Sequence, residues 1–215
     1  MTLKNSIRIG FPFLFQLVKR LRNYCVAFFP PLSFILKYEA APVQSEPWIN
    51  VSAKNWLGKY LQKDMRVFEY GSGGSTLYMA KRVKELLSVE SDIYWYSKVT
   101  KTIRMSGITN CKVLYAEASP SPSNQLSRDE GAYVSYAEKI KKFPNDYFNL
   151  VYIDGRGREL CVRQSLSKIK KGGYLLLDNT DRPEYKTIFD FLKAYSFQTF
   201  TSEETTNMTT VWKIN

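Results

Sequence analysis

Residues 65–76 read MRVFEYGSGGST, an apolar run that stops at a glycine turn and passes directly into Leu77-Tyr-Met-Ala-Lys-Arg82, which is helical in character. A strand, a tight turn and a helix are predicted. The same alternation continues outward in both directions. Val51–Leu61 reads as a helix leading in. Glu85–Glu90 reads as a second strand, and Asp92 as the N-cap of a helix running to about Arg104. Cys111–Ala116 is a third strand, Gly131–Lys142 a helix and Phe148–Ile153 a strongly apolar strand. Arg158–Lys170 is predicted as a helix ended by Gly172-Gly173, followed by a strand at Tyr174–Leu177 and a helix at Pro183–Ala194. Phe197–Thr201 and Met208–Ile214 form a closing hairpin. Strands alternating with helices imply a parallel, doubly wound α/β sheet, and the hairpin adds an antiparallel strand at its edge. Glu117–Glu130 holds two prolines and four serines and is longer than an ordinary connection, so it is read as a loop.

With 215 residues the chain has room for one such domain plus an extension. The absence of histidine removes Ser-His and Cys-His nucleophile pairs, His-ligated metals and imidazole bases, leaving carboxylates, Lys, Tyr or Cys for proton chemistry. Cys25, Cys111 and Cys161 form neither a close pair nor an even set, so a zinc site and a disulfide framework are not indicated and a reducing compartment fits. Lys and Arg outnumber Asp and Glu by 31 to 20, a net charge of +11 that suggests an anionic partner.

Residues 1–46 are read as a basic, apolar helical leader, and 47–215 as the domain. Within the leader Phe11, Leu14, Phe15, Val18, Leu21 and Cys25 recur at helical spacing, with Lys19, Arg20 and Arg22 mostly elsewhere on the wheel. Neither apolar run, Phe11–Val18 or the Pro30-Pro31-interrupted Val26–Leu36, reaches the roughly 18 residues needed to span a bilayer, and KRLR follows the first where a cleavage site would stand. Two readings remain open: residues 8–36 lie on an anionic membrane surface, or the helix docks on the protein's own core. A cytoplasmic protein, peripheral at the inner face of the membrane in the first case, is expected.

Ligands of doubly wound sheets bind beyond the carboxyl ends of the strands, where strand order reverses. Those ends here carry Glu69-Tyr-Gly71-Ser72-Gly73-Gly74-Ser75, Glu90, Asp154-Gly155 and Asp178-Asn179. The glycines allow a close approach of backbone to ligand. Glu90 stands 21 residues after Glu69, close to the offset at which an acid meets a ribose diol in a βαβ unit. A dinucleotide is disfavoured, because Thr76 occupies the third glycine position and Glu69 would repel a pyrophosphate. No phosphate loop of the G-x-x-x-x-G-K-[ST] kind is present at the turn. A cationic nucleoside such as S-adenosylmethionine suits the pair of carboxylates.

With these residues in view, FEYGSGGST (68–76), LSVE (87–90), LVYIDGRGR (150–158) and KKGGYLLLDN (170–179) resemble the class I S-adenosylmethionine-dependent methyltransferases over about residues 48–215. EYGSGGST, IDGRGR and DNTDRPEY (178–185) resemble more particularly a bacterial branch of that superfamily. The resemblance implies a Rossmann-like seven-stranded sheet with its last strand antiparallel. It also implies the cofactor-binding set Glu69, Gly71, Ser72, Gly73, Gly74, Ser75 and Glu90, with Glu117 matching an adenine-side acid only loosely.

Asp154 and Asp178 are the candidate catalytic carboxylates, as base or acceptor-orienting groups for O-methylation of a small-molecule or glycan-linked acceptor. Arg156, Arg158 and Arg182 are candidates to grip an anionic acceptor. Asp154, Asp178 and Asn179 resemble the magnesium set of catechol-type O-methyltransferases, although IDGRGR is not typical of those enzymes and magnesium is not favoured. No nucleic-acid partner is expected, because the D/N-P-P-F/Y motif is missing. A non-catalytic cofactor-binding or membrane-surface adaptor and an aminopropyl transferase of the same fold are the alternatives.

Overall fold

A computed structural model of the chain describes residues 43–119, 130–201 and 207–215. The leader reading for 1–42 and most of the 117–130 loop lie outside the described residues. Val43–Asn215 forms one compact unit, in which Val43 packs with Leu77, Val99, Ile103 and Val113.

The elements in chain order are α1 (Val51–Tyr60), β1 (Arg66–Tyr70), α2 (Gly74–Ala80), β2 (Glu85–Glu90), α3 (Ile93–Met105) and β3 (Cys111–Tyr115). They continue with α4 (Val134–Ala137), β4 (Phe148–Ile153), α5 (Arg158–Ser165), β5 (Ile169–Asp178), α6 (Lys186–Phe191), β6 (Phe197–Phe200) and β7 (Thr209–Lys213). Seven strands form one sheet in the order β3-β2-β1-β4-β5-β7-β6, parallel except for β7, which runs antiparallel to β5 and β6. The predicted sheet is therefore present, closing hairpin included.

Alternation along the strands divides the core. Phe68, Tyr70, Val151, Ile153, Leu175 and Leu177 face Tyr136 and Ile140 after β3, Cys161 and Val162 of α5, and Ile188 of α6. Val67, Leu150, Tyr152 and Leu176 face Ala53 and Leu57 of α1 and Met79 of α2. Burial on both faces explains why the central strands read as continuous apolar runs. Helix starts follow local chemistry. The Asn50 Oδ1 accepts from the Ser52 and Ala53 amides to cap α1, and the Asp92 Oδ1 accepts from the Trp95 amide to cap α3, as predicted.

Three predicted elements are corrected. The long helix from Arg158 stops at Ser165, continues as a 3-10 turn over Leu166–Lys168, and gives way to β5 at Ile169. Gly172-Gly173 thus lies inside a strand. The β4–β5 register jumps between Phe148↔Ile169 and Leu150↔Tyr174, so β5 carries a three-residue excess as a bulge. Gly172 takes φ +76°, and a β-carbon on Gly173 would meet the Asn149 carbonyl at 2.7 Å. The Gly131–Lys142 helix is a short α-helical turn, α4, between two 3-10 segments. The Pro183–Ala194 helix starts as a 3-10 turn and ends at Phe191.

Candidate functional site at the carboxyl edge of the sheet

Strand order reverses between β1 and β4, since β2 extends the sheet on one side of β1 and β4 extends it on the other. A crevice outside the strand ends is the consequence of that reversal. Gly71 and Gly155 meet at this point: Gly71 has φ +93°, and a β-carbon there would lie 2.7 Å from the Gly155 Cα. Only glycine satisfies both the backbone angle and the contact.

Glu69 belongs to the α1/α2 side of β1 and has no exposed surface. Its Oε1 lies 2.5 Å from the Ser75 hydroxyl, and its Oε2 accepts from the Thr76 hydroxyl at 2.6 Å. The Thr76 oxygen in turn accepts from the Gly73 amide at 2.8 Å, so strand, glycine turn and helix start are tied by one chain of hydrogen bonds. Burial raises the Glu69 pKa to about 7 against the pull of hydroxyls, among them Ser75, Ser88 and Thr76. Both carboxylate oxygens of Glu69, read from the sequence as a group that attracts a cationic cofactor, are engaged by hydroxyls of α2, and Glu69 sets the shape of the turn.

Glu90 stands at the end of β2 and is 6 % exposed. Its Oε2 accepts from the Ser72 amide at 2.9 Å and the Ser72 hydroxyl at 2.8 Å, while Oε1 accepts from the Ser91 and Asp92 amides. Burial raises its pKa, opposed by these bonds. Glu90 therefore holds the glycine turn from the β2 side as Glu69 holds it from below. Of the expected set, Gly71, Ser72, Gly73, Gly74, Ser75 and Glu90 are brought together around one turn.

Neighbours close over that turn. The Trp95 indole N–H donates to the Ser72 carbonyl, and a β-carbon at Gly73 would sit 3.5 Å from the indole nitrogen. On the other side, Gly74 packs on the Gln44 and Glu46 carbonyls so closely that any side chain would collide. Trp95 gave no signal in the sequence beyond its place three residues after the Asp92 cap. Two indentations, of about 170 Å³ beside Trp56, Tyr174 and Phe197 and about 360 Å³ beside Lys84–Leu87 and Thr109–Lys112, lie at the opposite, amino edge.

Arg158 is the second organiser. It is 6 % exposed, and its guanidinium donates to the carbonyls of Gly155, Asp154 and Asp178 and to the Asp154 Oδ1 at 3.0 Å. Arg158 thus joins the ends of β4 and β5 and is not free to grip an acceptor, contrary to expectation. Arg156 and Arg182 are exposed, and Arg182 donates to the Asn179 Oδ1 at 2.9 Å. Asp178 is 3 % exposed and its Oδ1 accepts from the Thr209 hydroxyl at 2.6 Å. Asp154 keeps 28 % of its side chain exposed, and burial carries its pKa up to about 7, although Arg158 opposes the rise. Asp178 shifts upward for the same reason, with Thr209 and Arg158 opposing.

The magnesium set does not fit this arrangement. A guanidinium already occupies the face of Asp154 that a cation would need, Asn179 presents its oxygen to Arg182, and no cluster of three His, Cys, Asp or Glu side chains suited to a metal occurs among the described residues. Two phenols escaped the sequence reading. Tyr152, the register partner of Glu69 on β4, and Tyr136, whose hydroxyl abuts Gly155, are wholly buried with no hydrogen-bond partner among the described residues. A tyrosine inside an apolar run gives only a core reading, which is why neither stood out.

No family model matches the chain, and no curated protein matches it by sequence. Solved structures do match by fold. An rRNA methylase from Streptococcus thermophilus aligns with a TM-score of 0.56 at 12% identity, over 76% of this chain and 94% of that one. A Streptococcus mutans protein named as a methyltransferase, in complex with SAH, aligns with a TM-score of 0.56 at 11% identity, over 74% and 94%. Precorrin-6y C5,15-methyltransferase from Geobacter metallireducens aligns with a TM-score of 0.55 at 15% identity, over 76% and 87%. Strand order, antiparallel β7 and these likenesses agree: the chain has the fold of the class I S-adenosylmethionine-dependent methyltransferases.

Proposed function

We propose that the protein is a methyltransferase that uses S-adenosylmethionine to methylate an oxygen of a small-molecule or glycan-linked acceptor. The observation that carries the reading is the glycine turn at the β1/β4 reversal, held between Glu90 and Glu69 in a sheet of methyltransferase order. Gly71–Ser75 would receive the amino-acid end of the cofactor, and Glu90 its ribose hydroxyls. The Ser72 hydroxyl is the partner that a ribose hydroxyl would replace on Oε2, leaving the three backbone N–H bonds to Glu90 intact. The Trp95 indole, bonded to the Ser72 carbonyl, flanks that edge. When bound, the cofactor supplies an electrophilic methyl on a sulfonium.

The residues at the β4 and β5 ends then act on the acceptor. Asp154 would accept the proton of the acceptor hydroxyl, whose oxygen would take the methyl group that the bound cofactor supplies. A carboxylate raised to about 7 is matched to a base working near neutrality, and Asp154 is more accessible than Asp178. Arg158, anchored on the Asp178 carbonyl, orients Asp154 through its Oδ1. The test is transfer of tritiated methyl from S-adenosylmethionine to fractionated cell lysate. Label is expected in a small-molecule or glycan fraction, with a rate that rises with pH through about 7. Asp154→Asn, which keeps an oxygen for Arg158, should lower that rate by about 10²-fold or more. Label confined to RNA or protein, or full activity in Asp154→Asn, contradicts the reading.

A further inference from the structure

Trp48 is 82% exposed and Val51, one turn of chain away at the start of α1, is 67% exposed. Large apolar side chains this bare call for a reason when basic groups surround them. Here Lys54 and Lys59 lie on α1, which contains no acidic residue, and Lys63 follows in the turn before β1. The Lys63 ammonium donates to the Lys81 carbonyl at 2.6 Å, and the Lys81 ammonium donates to the Ser45 hydroxyl at 3.0 Å. These bonds join residues 43–50, the turn after α1 and the end of α2. The nearby acids are Glu46, paired with Lys54 at 3.1 Å, and the exposed Asp64 next to Lys63, against the four lysines Lys54, Lys59, Lys63 and Lys81.

We infer that this face is a contact surface for an anionic lipid bilayer, with Trp48 and Val51 entering the interface and Lys59, Lys63 and Lys81 over the headgroups. Tryptophan favours the headgroup level because its ring is apolar and its N–H can stay wet, and each lysine there adds attraction to anionic lipid. The chain argues for the same occupant. Residues 1–40 carry six basic groups against one acid, with an apolar helical stripe, and this segment joins the domain only five residues before Trp48. A phosphate backbone would be served by the lysines alone and gives no role to Trp48, Val51 or the leader's apolar stripe. The surface borders the glycine turn through Gln44 and Glu46, which pack on Gly74. On the reading above, which this surface does not require, the transferase edge lies beside the bilayer.

The test uses the full chain with sedimentable vesicles of phosphatidylcholine, alone or mixed with phosphatidylglycerol. Binding is expected only with the anionic mixture, several-fold weaker at high salt, and several-fold weaker again in Trp48→Ser and in Lys59→Glu/Lys63→Glu. Acyl chains carrying bromine should quench part of the tryptophan emission, and Trp48→Phe should remove that part, since Trp56, Trp95 and Trp212 sit within the fold. Binding that is unchanged in both Trp48→Ser and Lys59→Glu/Lys63→Glu would assign the contact to the leader alone and overturn the proposal. So would the absence of quenching, or capture by polyuridylate in place of vesicles. None of these outcomes bears on cofactor binding, which is measured separately.

Discussion

Replacing Arg158 by methionine is expected to cost the domain about 3–5 kcal/mol, the range found when one partner of a buried ionic network is removed. The side chain is 6 % exposed and satisfies three carbonyls and one carboxylate oxygen at the ends of β4 and β5. Methionine fills much of the volume and supplies none of the five donors. The Asp178 and Asp154 carbonyls would be left facing a low-dielectric interior, and Asp154 would lose the charge that opposes its desolvation. Arg158→Lys should recover only part of the loss, because an ammonium cannot reach three carbonyls in a fork. Urea denaturation measures both. A loss below about 1 kcal/mol in Arg158→Met would mean that the contacts are peripheral to stability.

Glu69 gives the second large effect, and it depends on pH. Its folded pKa lies at about 7 against an ordinary 4.5, raised by burial. The folded state therefore holds a proton that the unfolded chain releases once pH exceeds 4.5. Stability from this group is complete below 4.5 and is lost as pH rises through about 7, by up to about 3 kcal/mol. Asp154 adds a slope of the same sign. Glu69→Gln removes the Glu69 share: its oxygen can accept from Thr76 and its amide can donate to Ser75, whose hydroxyl is free to rotate. The variant should match the parent near pH 4.5 and exceed it above pH 7 in denaturation profiles. Parallel profiles for the two proteins would show that Glu69 is ionised at low pH in the folded state as well.

Much of the fold was legible because local chemistry and tertiary role coincide. Glu85–Glu90 and Phe148–Ile153 emerge with the predicted bounds, since each is an apolar run stopped by polar residues or glycine. Asp92 was readable as a cap because capping is decided within three residues. The Gly172-Gly173 pair was misread because two glycines after a helical pattern look the same whether they end a helix or relieve a bulge. Only the partner strand distinguishes the cases.

The site shows the same division. Period-two alternation puts Glu69 on the face opposite Phe68 and Tyr70. Whether that face is a cleft or the underside of α2 depends on hydroxyls six and seven residues later. Arg158 was legible as a charged residue near a strand end, but its Asp178 carbonyl partner lies twenty residues away on another strand. Trp95 and Tyr136 reach the turn through packing that no spacing rule encodes.

On the proposed function, the turn between Glu69 and Glu90 is a cofactor loop. Thermal unfolding with and without S-adenosylhomocysteine tests it most directly, because a ligand that binds only the native state stabilises it by mass action, by about 2.7 kcal/mol at a hundred times its Kd. The parent protein is predicted to melt at a higher temperature with ligand, and Glu90→Ala to show no shift relative to its own ligand-free curve. An unchanged melting curve of the parent at saturating ligand, or equal shifts in both proteins, would contradict the claim.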